Sequence, residues 1–221
     1  MHKSVQNILD IQNEITNEIS KSEQKFEEPK IIAVSKTFQT KDIMPLVEFG
    51  HIHFGENKVQ EAMDKWQNIK QEHKDVKLHL IGKLQSNKVK KALEIFDYIH
   101  SLDNEKLAKK IADIKTSLNL NPKLFIQVNI GNEPQKSGVP VNKLEEFKIF
   151  CQNLNLNIEG LMCIPPANED SEKFFSRMSY LKKIYNFNEI SMGMSGDYIL
   201  ATKYQSTFLR IGTSIFGERS K

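Results

Sequence analysis

Hydrophobic positions along the chain follow two alternating periods. Val5, Ile8, Ile11, Ile15 and Ile19 recur every three or four residues and predict an amphipathic helix with one buried stripe. The polar stretch Lys21–Pro29 ends it. From there one unit repeats: a short aliphatic or β-branched run, a turn, then a stretch of helical period. The strand-like runs are Ile31–Ser35, His51–Phe54, Lys77–Ile81, Tyr98–Ser101, Leu124–Ile130, Ile158–Ile164, Glu189–Met192 and Phe208–Ile211. Between them, Ile43–Phe49 has Pro45 in its first turn and Gly50 after its end, the order expected of these two breakers. Asn57 to Gln60 has the spacing of a capping box for a helix running toward Ile69. Asn104–Leu118, Val141–Gln152 and Asp170–Tyr185 are amphipathic helices, with shorter ones over Asn87–Phe96 and Asp197–Tyr204.

Strands alternating with helices in this number predict an α/β protein built as a single (β/α)₈ TIM barrel with an extra N-terminal helix. Leu124–Ile130 is nearly all apolar, as a strand buried on both faces is. An open doubly wound sheet has the same alternation, which alone does not exclude it. No linker, composition break or low-complexity tract divides the chain, so one domain over residues 1–221 is expected.

Composition narrows the function classes. Hydrophobic residues make up 39% of the 221, enough for a core and too many for a disordered chain. Lys+Arg minus Asp+Glu is 31 − 28 = +3, too mild to imply a nucleic-acid or membrane partner. No apolar run approaches the ~20 residues of a membrane span, and Met1 to Ser20 lacks a signal-peptide pattern. Two cysteines without metal-ligand spacing, Cys151 and Cys163, fit a reducing compartment. A cytoplasmic protein is expected.

Candidate chemistry sits where barrel strands end. The first run ends in Ser35-Lys36-Thr37. A lysine there has its stem among apolar neighbours, which favours the neutral, nucleophilic amine of Schiff-base chemistry; a rim lysine that snorkels to solvent has the same sequence. Met192-Gly193-Met194-Ser195-Gly196-Asp197 and Arg210-Ile211-Gly212-Thr213-Ser214 follow the last two strands, the usual phosphate position of a barrel. Their small residues, hydroxyls and backbone N–H groups suit an anion, although Asp197 has the place of a helix cap and Gly196 of a plain turn residue. Arg210 lies two residues before Gly212 and so points into the barrel, toward a carboxylate of a neighbouring strand or a ligand acceptor. His51 and His53 share one strand face, with His79 and His100 on the next strands, a pattern of some metallohydrolases. His79, however, begins its strand, which places it at the opposite rim, and no metal is expected. Lys83, Lys88, Lys90 and Lys91 form a basic stretch without interleaved aromatics, the pattern of a solvated face.

These residues carry a resemblance. Ala33-Val34-Ser35-Lys36-Thr37, Phe54-Gly55-Glu56-Asn57-Lys58-Val59-Gln60-Glu61, His79-Leu80-Ile81-Gly82-Lys83-Leu84-Gln85-Ser86-Asn87-Lys88, Lys136-Ser137-Gly138, Gly160-Leu161-Met162, Ser191-Met192-Gly193-Met194-Ser195 and Arg210-Ile211-Gly212-Thr213-Ser214-Ile215-Phe216-Gly217 resemble, in order, the blocks of the pyridoxal phosphate homeostasis proteins, the YggS/PROSC family. The resemblance implies a barrel similar to the N-terminal domain of alanine racemase. It implies that Lys36 carries pyridoxal 5′-phosphate (PLP) as a reversible Schiff base, that Ser195, Gly212 and Thr213 hold its phosphate, that Arg210 faces its pyridine nitrogen and that Asn57 lines the pocket. Lys136 lies near that pocket in the family.

An arginine at the ring nitrogen leaves it unprotonated and weakens the ring as an electron sink. Racemases of this arrangement add a tyrosine from a second domain as the opposite base; the chain ends at Lys221, soon after the last strand, so that domain is expected to be absent. A carrier that takes part in PLP and vitamin B6 homeostasis without turnover is the implied role, with no catalytic residue assigned; the alternative is a PLP-dependent amino-acid racemase. Amino acids or PLP-accepting apo-enzymes are the implied partners, and a monomer is expected. Gly196 departs from an acidic residue common in the family, and Gln205 from a glycine.

Overall fold

A computed structural model describes residues 1–23 and 26–218. Helix α1 (Lys3–Ser20) precedes strand β1 (Lys30–Val34). Then follow α2 (Thr40–Glu48), β2 (His53–Glu56), α3 (Val59–Glu72), β3 (Lys77–Leu80), α4 (Val89–Ile95), β4 (Tyr98–Leu102), α5 (Glu105–Leu118) and β5 (Lys123–Asn129). The second half runs β6 (Val139–Pro140), α6 (Leu144–Asn153), β7 (Ile158–Cys163), α7 (Ser171–Ile184), β8 (Glu189–Ser191), α8 (Tyr198–Lys203), β9 (Phe208–Ile211) and α9 (Thr213–Phe216). All pairings are parallel. The order β4-β3-β2-β1-β9-β8-β7-β5, closed by β5 on β4, makes an eight-stranded barrel, and the two-residue β6 pairs outside it with β5. The ring closes, so the sheet is a (β/α)₈ barrel and not the open alternative.

The N-terminal stripe folds as its spacing requires. Val5, Ile8, Ile11 and Ile15 are buried, and α1 lies outside the barrel against α2, α8 and α9. Asn7 donates to the Ile215 carbonyl at 2.8 Å and Tyr198 to Glu14 at 2.6 Å, tying α1 to the last two βα units. Strand residues alternate in direction. Leu209 and Ile211 join the large core between sheet and helices. Ile32, Phe125, Met162 and Phe208 form a small separate core inside the barrel, with Tyr98 against it. No helix among the described residues is long and apolar enough to cross a membrane.

Local differences from the sequence reading have physical causes. Asn104 and Asp170 cap α5 and α7, accepting from Leu107 N–H at 2.9 Å and Glu172 N–H at 3.0 Å. Asn57 makes no capping box: α3 starts at Val59 behind Lys58, whose side chain makes no cap bond. Helix α2 starts three residues before Ile43, because the Asp42 carboxylate accepts from Gln39 N–H at 3.0 Å, so Pro45 lies inside it. Strand β2 starts at His53 and leaves His51 in the preceding turn. His51 and His53 therefore do not share a strand face. Gln205 has a left-handed φ of 57°.

Candidate functional site

Lys36 follows the C-terminal end of β1, and its turn is clamped from two neighbouring elements. Ser35 donates to Glu56 Oε1 at 2.8 Å, and Thr37 N–H donates to Glu61 Oε1 at 2.6 Å. Lys65 of α3 joins the two ends: its ammonium donates to the Ser35 carbonyl at 2.9 Å, to Glu56 Oε1 at 2.9 Å and to Glu61 Oε1 at 3.1 Å. Trp66 completes the cluster with a 3.0 Å bond to Glu56 Oε1. Thr37 has a φ of 70°, costly for a side chain branched at Cβ. The clamp holds this conformation and so fixes the backbone from which the half-buried Lys36 projects.

Glu56 is fully buried, with Oε2 unpartnered, and burial pushes its carboxyl above the ordinary range against the pull of Lys65. Removing one member of a buried ion pair strands the other, typically at about 3–5 kcal/mol. Lys65→Met is therefore expected to lose about that much stability, and adding Glu56→Gln to restore most of it. Urea unfolding followed by the fluorescence of Trp66, the chain's only tryptophan, measures both; a double variant no more stable than Lys65→Met would refute the pairing.

The opposite wall comes from β8 and β9. Gly193 has a φ of 89°, and a Cβ there would lie 2.5 Å from that of Ala201, so only glycine fits where the chain leaves β8. Ser195 Oγ accepts from the Gly212 and Ser214 amides at 3.3 and 3.4 Å. Two backbone N–H groups thus converge on one oxygen, the arrangement that receives an oxyanion. Asp197 does not cap α8 with its side chain. It ties the turn instead, accepting from Met194 N–H at 2.7 Å and Ser171 at 3.0 Å. Thr213 is exposed beside these amides.

Arg210 projects inward from β9 and is buried. Its guanidinium donates to Ser191 Oγ and to the Cys163 carbonyl, both at 2.7 Å. Neither partner is a carboxylate, so the buried cation keeps donors and charge for a further acceptor. Burial draws its pKa below the ordinary value. Asn57 sits half-buried beyond β2. Gly82 presses on its backbone so closely that a Cβ would lie 2.3 Å from the Asn57 carbonyl oxygen.

Lys36, Asn57, Ser195, Gly212 and Thr213 therefore gather just past the ends of β1, β2, β8 and β9, adjacent in the barrel, with Arg210 inside it between them. Lys136 lies on the segment between β5 and β6, paired with Glu133 at 2.6 Å and donating to the Pro165 carbonyl past β7 at 3.4 Å. The histidines are not arranged around a point: His53, His79 and His100 are joined ring to ring. Among the described residues no group of three or more His, Cys, Asp or Glu is placed to hold a metal ion. His79 lies in the middle of the barrel and not at the opposite rim. Glu56, Glu61, Lys65 and Ser191 carry positioning roles that strand-end reasoning missed. The signal for the clamp was a carboxylate at the strand end, Glu56, with a Glu61/Lys65 pair four apart on the next helix.

The family model of the alanine racemase N-terminal domain matches residues 12–220. A pyridoxal phosphate homeostasis protein of Pasteurella multocida is 36% identical over 225 residues, covering 97% of each chain. One from Vibrio alginolyticus is 39% identical over 221 residues, covering 93% of this chain and 94% of its own. Among solved structures, PipY of Synechococcus elongatus without PLP is 32% identical with a TM-score of 0.84, over 98% of this chain and 100% of that one. PipY with PLP bound is 34% identical with a TM-score of 0.77, over 94% and 100%. An alanine racemase of Clostridium difficile, 14% identical, shares the fold at a TM-score of 0.72, over 99% of this chain and 57% of that one.

Proposed function

The chain belongs to the family of pyridoxal phosphate homeostasis proteins, and from that premise we propose that it carries PLP on Lys36 and serves intracellular PLP and vitamin B6 homeostasis. The observation that carries the reading is the grouping of three complementary features past adjacent strands. They are a lysine amine on a clamped turn, two amides converging on Ser195 Oγ, and a buried arginine whose hydrogen bonds go to Ser191 and the Cys163 carbonyl.

PLP supplies an aldehyde carbon to which an amine adds reversibly with loss of water. Lys36 Nζ is the amine. Ser195, Gly212 and Thr213 would receive the phosphate, with the Gly212 and Ser214 amides now gathered on the Ser195 hydroxyl turned to it. Arg210 offers N–H donors to the pyridine nitrogen, and because an arginine does not accept, it favours the unprotonated ring. Asn57 lines the pocket. Because a free amine can displace Lys36, the attachment suits buffering and handing on a reactive aldehyde to amino acids or apo-enzymes, in the cytoplasm and as a monomer. The chain acts as one domain, and no residue is assigned a catalytic step.

Two measurements test this. Ser195→Ala removes a hydroxyl donor to a charged phosphate, worth about 1.5–3 kcal/mol, so PLP affinity is expected to fall roughly tenfold to a hundredfold. Absorption titration checks it, and unchanged affinity would remove Ser195 from the phosphate site. Incubating the PLP-loaded protein with amino acids in deuterated water separates carrier from racemase: the carrier reading expects no exchange of the α-proton beyond that of free PLP.

A further inference from the structure

The barrel interior holds a row of polar groups that PLP attachment does not use. His53, His79, His100 and Ser191 face inward from β2, β3, β4 and β8, and the last three are wholly shielded from solvent. His53 Nδ1 lies 2.9 Å from His79 Nε2, and His79 Nδ1 lies 2.9 Å from His100 Nε2. His100 Nδ1 lies 3.0 Å from Ser191 Oγ, which accepts from Arg210 at 2.7 Å. The line is unbroken from Arg210 to His53, the first residue of β2, and so runs from the ligand side of the barrel to its opposite rim.

Donor chemistry gives the line one direction. Arginine only donates, so the Ser191 oxygen accepts from it and must send its own hydrogen elsewhere. The other partner of that hydroxyl is His100 Nδ1. His100 therefore carries its proton on Nε2 and donates to His79 Nδ1; His79 does the same toward His53, which keeps its proton on Nε2. The reverse order would aim two donors at Ser191 and leave its hydrogen without an acceptor, a costly state in the interior. An added proton on His79 Nδ1 would face the His100 N–H, and one on His100 Nδ1 would face the Ser191 O–H, so the line needs neutral rings. Packing holds their planes: His79 stacks on Tyr98 at 4.2 Å and 10°, His100 on Phe125 at 4.3 Å and 5°, and Phe208 stands edge-on to His100.

We propose that Ser191, His100, His79 and His53 are positioning residues, a one-way hydrogen-bonded line that orients the Arg210 guanidinium toward the ring nitrogen of PLP. The proposal rests on the assignment of Arg210 to that nitrogen. Its requirement is the order of the line: each imidazole protonated on Nε2, each Nδ1 accepting. Ser191 is the junction, because it alone touches both the arginine and the first ring.

Histidine ¹⁵N–¹H long-range NMR on the full chain at neutral pH reads the protonated nitrogen of each ring, for the wild type and for Ser191→Ala, with and without PLP. The wild type is expected to show His53, His79 and His100 neutral with the proton on Nε2. Ser191→Ala is expected to keep the borohydride-stable adduct on Lys36, to bind PLP about tenfold more weakly, and to shift the His53 signals two rings away. A purely structural serine leaves His53 unmoved. A proton on Nδ1 of any of the three rings in the wild type overturns the proposal. So does a Ser191→Ala protein with wild-type affinity and unshifted His53. Failure of the wild type to form the Lys36 adduct overturns the PLP reading itself, and the line's role toward the ligand with it.

Discussion

Lys36→Ala is expected to fold normally and to develop no visible absorption band when PLP is added. The turn that carries Lys36 is held by Ser35, Thr37, Glu56, Glu61 and Lys65, so losing a half-buried side chain leaves that clamp in place. What disappears is the only amine that the site offers from a clamped turn. The phosphate and ring contacts remain but lose their covalent partner, and affinity is expected to fall on the order of a hundredfold or more, at 1.4 kcal/mol for each tenfold. Lys36→Arg sharpens the test, because it keeps the positive charge and removes the nucleophile. Spectra like those of the alanine variant would assign the band to bond formation. Retention of the band in both variants would move the attachment elsewhere.

Acid is expected to destabilise the protein as pH falls below about 6.5, the ordinary histidine value. Burial lowers His51 and His53 from the ordinary 6.5 to about 4 and places His79 and His100 well below 6.5. Between the folded and unfolded values the unfolded chain binds more protons, so stability rises with pH there. The contribution is complete above about 6.5 and is lost as pH falls toward 4 and below. Each ring contributes about 1.4 kcal/mol per pH unit, or roughly 5–6 kcal/mol per pH unit for the four in mid-window. Glu56 opposes them. Its carboxyl is raised by burial, so the folded state takes up that proton first, and its contribution is present at low pH and lost as pH rises through the folded value. One carboxyl against four histidines leaves stability rising with pH across the window. Urea midpoints read from Trp66 fluorescence between about pH 7 and about pH 5 give that slope. A midpoint that is flat or rises toward acid would mean that the interior histidines are already charged at neutral pH.

The strand–helix alternation was legible because each run is either apolar throughout or periodic, as β5 and α1 show. Barrel geometry then made the strand ends worth reading, and Lys36, Ser195, Gly212 and Arg210 all lie where that rule looks. Three things were not legible, each for a tertiary reason. The histidine line depends on register: His79 pairs with Gly55 on one side and Tyr98 on the other, and His100 lies two residues further along, so the rings climb as they pass from strand to strand. A boundary of β2 misplaced by two residues put His51 into that set, and the stagger between β2, β3 and β4, which no single strand's sequence shows, carries His79 away from the rim. The Glu56–Lys65 pair joins a strand end to the second turn of the next helix, a contact that only the packing of α3 creates. Asn57 has the sequence position of a cap, but the chain stays extended through Lys58 and the helix begins too late for it.

The central claim is that Lys36 carries PLP, and peptide mapping after borohydride reduction tests it most directly. The full-length protein is incubated with PLP at one equivalent, reduced, digested and analysed by mass spectrometry. The account predicts one pyridoxyl phosphate adduct per chain, on the peptide containing Lys36, with a visible band that bleaches on reduction. Label spread over surface lysines, or concentrated on Lys136 with Lys36 unmodified, would contradict it.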